Sequence, residues 1–125
     1  MNITEIREKY NNGDYTYKAD IPKKVWDDHI FDEELSVKRN RELAIEHNQK
    51  VNELRIEARN KQLELDQQFT ADIVGYIQEE YGFNEFQARE IEHFVYEEHH
   101  SCMYDYFIYI DTFADWAYKL RSLED

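Results

Sequence analysis

Between Pro22 and Gly75 the chain carries neither glycine nor proline, and from Asp32 onward most residues in that interval are strong helix formers. Such a stretch favours one long helix and leaves no place for the tight turns of a sheet protein. Asp32, Glu33 and Glu34 put acid where the positive end of a helix dipole favours it, so the helix is expected to begin there. At about 100° per residue, Leu43, His47, Val51, Leu54, Ala58, Leu65, Phe69 and Tyr76 fall on one stripe. Ile45, Ile56 and Leu63 form a second stripe on roughly the opposite side. A helix apolar on two faces has two neighbours, one of which can be a second subunit. Continuous to Tyr81 it would approach ~70 Å, so a kink or break is expected around Gln67 to Thr70.

The flanking segments are read from their breakers. Residues 1–31 hold a short helical start (Ile3, Ile6, Tyr10), a break at Asn11-Asn12-Gly13-Asp14, and an alternating run from Tyr15 to Ile21 that suits a short strand or an extended arm. Pro22 excludes helix through Ile21. At Tyr81-Gly82-Phe83-Asn84 a stop and a new start coincide: Gly82 suits a left-handed cap, Asn84 an N-cap, and Gln87 completes a capping box. A further helix follows, with an interruption expected near Ser101. Its apolar stripe is Ile91, Val95, Cys102, Tyr106, Tyr109, Phe113 and Leu120. The expected fold is mainly all-α. It is a long helical hairpin or three-helix bundle in one domain, with an arm at 1–31, a long helix at 32–81 and a helical part at 84–123.

With 125 residues the chain can hold one core. An aromatic content of 15% separates it from disordered acidic tails. Three glycines cannot supply a dinucleotide or phosphate loop. The formal net charge of -13 argues against direct nucleic-acid binding, because phosphates would repel it. No apolar run suits a signal peptide or a membrane span, and Cys102 has no cysteine to pair with, which together point to a reducing cytoplasm. The acid is uneven: residues 82–125 carry ten acids and three bases.

Two constellations invite chemistry. Glu97 to Asp105 combines carboxylate, imidazole and thiolate, the ligand types of zinc. On a helical wheel Glu98 and Cys102 lie in the apolar stripe with His99 at its edge, and His47 lies in the seam of the long helix. A structural zinc held by His47, Glu98, His99 and Cys102 would relieve these groups. On the outer face Glu90, His93, Glu97 and His100 repeat Glu-x-x-His, the spacing of di-metal carboxylate bundles, although those carry their copies on different helices. No cofactor is required by either arrangement, since lone buried histidines and cysteines are ordinary core residues. Nucleophilic catalysis is not expected. Ser101 and Cys102 adjoin histidines, but neighbours on a helix diverge, and no Gly-rich turn offers an oxyanion hole.

The second constellation interleaves aromatics with acid from Tyr96 to Tyr118. Tyr104, Phe107 and Tyr118 lie off the apolar stripe and would anchor a partner, while Glu90, Glu97, Asp105, Asp111 and Asp115 would meet its basic side chains. The alternatives are an assembly protein that dimerises through Ile45, Ile56 and Leu63, and a di-metal carboxylate protein.

Small size, acidity, tyrosine richness and the lack of a catalytic motif resemble small phage-encoded accessory proteins of Gram-positive bacteria. Among these the chain is similar in type to anti-CRISPR inhibitors of type II effector nucleases. The resemblance is one of overall character and spans the whole chain. It implies a non-enzymatic, DNA-mimicking inhibitor in the host bacterial cytoplasm, whose partner is the basic surface with which a CRISPR effector nuclease handles DNA.

Overall fold

A computed structural model describes residues 1–124, which form four helices: α1 (Ile3–Asn11), α2 (Val37–Tyr81), α3 (Glu85–His99) and α4 (Met103–Glu124). Among the described residues there is no strand, and the fold is all-α. No helix among them is long and apolar enough to cross a membrane.

Local chemistry sets the helix ends. Asn2 caps α1 by accepting from the Glu5 amide at 2.8 Å. α2 begins five residues later than its acidic lead suggests, because Ser36 takes the cap: its Oγ accepts from the Arg39 amide at 3.0 Å. Asp32 instead closes a turn, accepting from the Glu34 and Leu35 amides. The helix is unbroken through residues 67–70, so the expected kink there is not marked by any loss of helix. Gly82 adopts φ 72° after α2, and Asn84 and Gln87 exchange both bonds of the capping box that opens α3. Residues 100–102 separate α3 from α4.

Packing divides the chain into two compact units, one of Met1–Thr16 with Leu65–Asp125 and the other of Tyr17–Glu64, so α2 contributes to both. Residues 1–16 therefore do not belong with the rest of the N-terminal arm. In the first unit α1, the end of α2, α3 and α4 share one core. Ile6, Ile73, Ile77, Ile91, Val95, Tyr106, Phe107 and Ile110 lie in it, and Tyr10 and Phe69 pack against it. Phe69 touches Tyr10, Tyr15, Tyr106 and Phe107 at centroid distances of 5.0 to 5.9 Å, a tilted and edge-on aromatic cluster.

The second unit is built differently. The arm at 17–36 lies along α2 without forming the strand its alternation suggested, because no second strand is there to complete a ladder. Side-chain amides of α2 replace one. Asn48 pairs with both backbone groups of Val25 at 2.9 and 2.8 Å, Gln62 accepts from the Tyr17 amide at 2.9 Å, and the His47 ring meets the Lys23 carbonyl at 2.8 Å. Asn40, buried, accepts from the Phe31 and Asp32 amides and donates to the carbonyls of Asp32, Leu35 and Ser36. Ala44 and Val51 are buried in this unit.

Asn40 makes five of the hydrogen bonds that hold the turn into α2, so Asn40→Ala should destabilise the second unit by about 1–3 kcal/mol. Amide exchange at Phe31 and Asp32 should accelerate while the first unit keeps its protection. Unchanged exchange at those two amides would show that the turn stands without the clamp.

Candidate protein-binding face

The first unit carries 17 acids against five bases, so few of its carboxylates can find a cation. Those drawn inward pair with tyrosine hydroxyls. Glu92, on the core face of α3 beside Ile91 and Val95, is buried and accepts from Tyr106 of α4 at 3.0 Å. Asp111 of α4 accepts from Tyr76 and, at 3.0 Å, from Tyr81, both on α2. Asp72 of α2 accepts from Tyr15 at 2.6 Å and from Gln68 at 2.8 Å, with the Lys9 ammonium 3.8 Å away. Burial first, and then the carboxylate each one faces, pushes the hydroxyls of Tyr15, Tyr76, Tyr81 and Tyr106 above the ordinary phenol range. Burial also raises the Glu92 carboxyl, opposed by the Tyr106 hydrogen bond and by the charges of His93 and Arg89.

The eight residues expected to meet a partner do not form one surface. Phe107 is 3% exposed and belongs to the core beside Tyr10 and Phe69, because α4 turns that position inward next to Tyr106; it cannot anchor a partner. Asp111 is committed to Tyr76 and Tyr81. Tyr104, Asp111, Asp115 and Tyr118 follow helical spacing along one flank of α4. There the Arg7 guanidinium stacks near Tyr104, Arg121 stacks near Tyr118, and Lys119 pairs with Asp115 at 2.8 Å. Asp105 lies on the opposite flank, and Glu90 and Glu97 lie exposed on α3, the latter bonded to His93 at 2.9 Å.

The flank that carries Asp105 holds an aromatic seam. Phe94 of α3 stacks on Phe113 of α4 at 4.4 Å, and Trp116 follows Phe113 at 5.3 Å. One turn earlier on α4, Tyr109 lies flat against His99 at 3.9 Å. Phe94 is 49% exposed and Trp116 54%, so the seam is open to solvent. Glu90 and Glu98 stand four residues before and after Phe94, and Asp105 four before Tyr109, which borders the rings with carboxylates. By sequence Tyr109 and Phe113 fall on the apolar stripe, which does not distinguish an open ring from a core one. Phe94 was the available signal, since it lies off the Ile91/Val95 line and between two acids at helical spacing.

The proposed zinc ligands are divided between the two units. His47 lies in the second unit on the Lys23 carbonyl, His99 is stacked on Tyr109, and Glu98 and Cys102 are exposed. The helix break at 100–102 resets the wheel, so neither Glu98 nor Cys102 carries the burial that would call for a metal. Of the Glu-x-x-His set, His93 pairs with Glu97 while His100 stacks on Tyr96 and meets its carbonyl through Nδ1 at 2.9 Å. Among the described residues no group of three or more His, Cys, Asp or Glu side chains is placed to hold a metal ion. Compared with family models, curated proteins and solved structures, the chain matches none.

Two pH responses follow from the tyrosine–carboxylate pairs. Because the folded chain holds the Glu92 proton more tightly than the unfolded chain, the stability this contributes is complete below a pH of about 4.3 and is lost as pH rises through the folded value. Glu92→Gln retains an acceptor for Tyr106 without the charge, and should gain on the parent in urea melts as pH rises from about 4 to 7. Tyr106→Phe should lose about 1–3 kcal/mol, since Glu92 is left buried without its donor. A Glu92→Gln variant whose difference from the parent does not change with pH would refute the assignment. At the alkaline end the raised hydroxyls contribute stability that is complete below a pH of about 10 and is lost above it. In an absorbance titration Tyr15, Tyr76, Tyr81 and Tyr106 should therefore ionise only together with the loss of helicity.

Proposed function

We propose that this protein is a non-enzymatic inhibitor whose α3–α4 face binds a basic, nucleic-acid-handling protein and blocks DNA loading. A type II CRISPR effector nuclease is the partner to which the chain's overall character points. The observation that carries the reading is the open aromatic seam of Phe94, Tyr109, Phe113 and Trp116 bordered by Glu90, Glu98 and Asp105, on a unit with a net charge of -12.

Each part has a physical role. Surfaces that hold DNA present arginine and lysine to its phosphates, and carboxylates compete for the same cations. Long-range attraction between a strongly acidic unit and a basic channel raises the rate of encounter. Charge alone gives a promiscuous and salt-sensitive complex. Rings that are rigid and already stacked supply desolvated contact area at low entropic cost, and arginine side chains also stack on such rings.

DNA loading by purified type II effector nucleases, followed by gel shift at low and high salt, tests the reading. At low salt the protein should suppress loading by a nuclease that it binds, and suppression should weaken as salt rises. Trp116→Ala and Phe94→Ala should each weaken binding by about 2 kcal/mol, as centres of such surfaces do. Asp115→Asn, on the other flank of α4, should be close to neutral. DNA loading unaffected at low salt across the effectors would count against the reading.

A further inference from the structure

The second unit keeps several large aliphatic side chains outside and few inside. Ala44 and Val51 are its buried hydrophobic residues, whereas Ile45, Ile56 and Leu63 are 44%, 56% and 55% exposed. Units of this size rarely bury enough apolar surface alone, and self-association is one common remedy. The arm does not supply the cover. It is bonded to Asn40, Asn48 and Gln62 and lies over the Ala44/Val51 side of α2. The exposed stripe is turned roughly 100° from that side at 3.6 residues per turn.

The stripe has the period of a coiled-coil seam. From Lys38 to Leu63 its positions follow one another at alternating steps of four and three, with isoleucine or leucine at 45, 56 and 63 and polar residues between them. We propose that this stripe pairs with the same stripe of a second copy in an antiparallel sense, Ile45 of each chain lying against Ile56 of the other. Every layer then finds a complementary neighbour. Gln49 meets Asn52, an amide pair; Glu42 meets Arg59, an ion pair; and the stem of Lys38 covers Leu63. The two-fold axis passes between Lys50 and Val51, so each of these contacts occurs twice, as an isologous interface requires.

Charge favours a second copy over another occupant. Residues 37–64 carry seven bases and five acids, in a chain whose total is -13. The unit as a whole is nearly neutral, with 11 acids and ten bases, so two copies meet there without the repulsion that opposes contact between two units at -12. A seam of alternating aliphatic and polar layers also fixes register, since slipping one chain past the other sets Arg59 or Glu42 against isoleucine.

Sedimentation velocity of the full chain over a concentration series tests the pairing, with circular dichroism to confirm that each variant is helical. The parent should form dimers, and Ile56→Glu should shift it to monomers. Glu42→Arg and Arg59→Glu each replace two attractions with two repulsions and should weaken the dimer about tenfold. The double variant restores opposite charges and should recover most of that loss. Trp116→Ala should leave the dimer intact, which separates this surface from the α3–α4 face. A parent that is monomeric at every concentration, a dimer indifferent to Ile56→Glu, or a double variant that dimerises no better than either single charge variant would each overturn the proposal.

Discussion

The hydrogen bond from a tyrosine hydroxyl to a carboxylate is the interaction on which the first unit depends. A region with so few cations has two ways to fold around its carboxylates: leave them all at the surface, or give the inner ones a neutral donor. Tyr15–Asp72 joins the segment after α1 to α2, Tyr76 and Tyr81 join α2 to α4 through Asp111, and Tyr106–Glu92 joins α4 to α3. Each tie adds a directional bond where the core is otherwise apolar contact. A hydroxyl bonded to an ionised acceptor is worth more than a neutral pair, and the ring behind it contributes buried area that a lysine would not. Tyrosine richness in this chain is thus partly structural. The same property that suggested a binding surface also holds the helices in place.

That double use explains which features were legible in the sequence. The end of α2, the Gly82 cap and the Asn84/Gln87 box could be read directly, because they depend on neighbours within four residues. The all-α architecture followed from the missing glycine and proline. The division of aromatics between core and surface could not be read the same way. Phe107 and Trp116 both lie on α4 among acids, and only the position of α1 and of Phe69 decides that Phe107 is inside. Likewise Glu92 looked like one acid among many, although its place between Ile91 and Val95 on the core face makes it the one that must find Tyr106. Glu98 and Cys102 share a stripe only on a wheel carried through residues 100–102, and α3 ends before them, which leaves both exposed.

The arm at 17–36 shows a different economy. Its alternating pattern is real, but alternation specifies a strand only when another strand offers amides and carbonyls in register. Here a helix offers amide side chains instead. Asn40, Asn48 and Gln62 are spaced to fall on one face of α2, and each carries a donor and an acceptor on one short stem. Residues that reduce helix propensity slightly are thereby retained where they bind backbone rather than solvent. Period-2 hydropathy therefore left the partner of this segment unspecified.

Charge is distributed between the units as sharply as the bonding is. A uniform surface at -13 would oppose every protein contact except with a basic partner. Concentrating the excess acid on the unit with the open aromatic seam leaves the other unit close to neutral, and this separates the electrostatic requirements of two surfaces. An acidic seam of this kind is complementary to a surface rich in arginine and lysine and repels a second copy of itself. The mixed-charge stripe of α2 has the reverse preference, since its charges are complemented by a surface carrying both signs in a matching order.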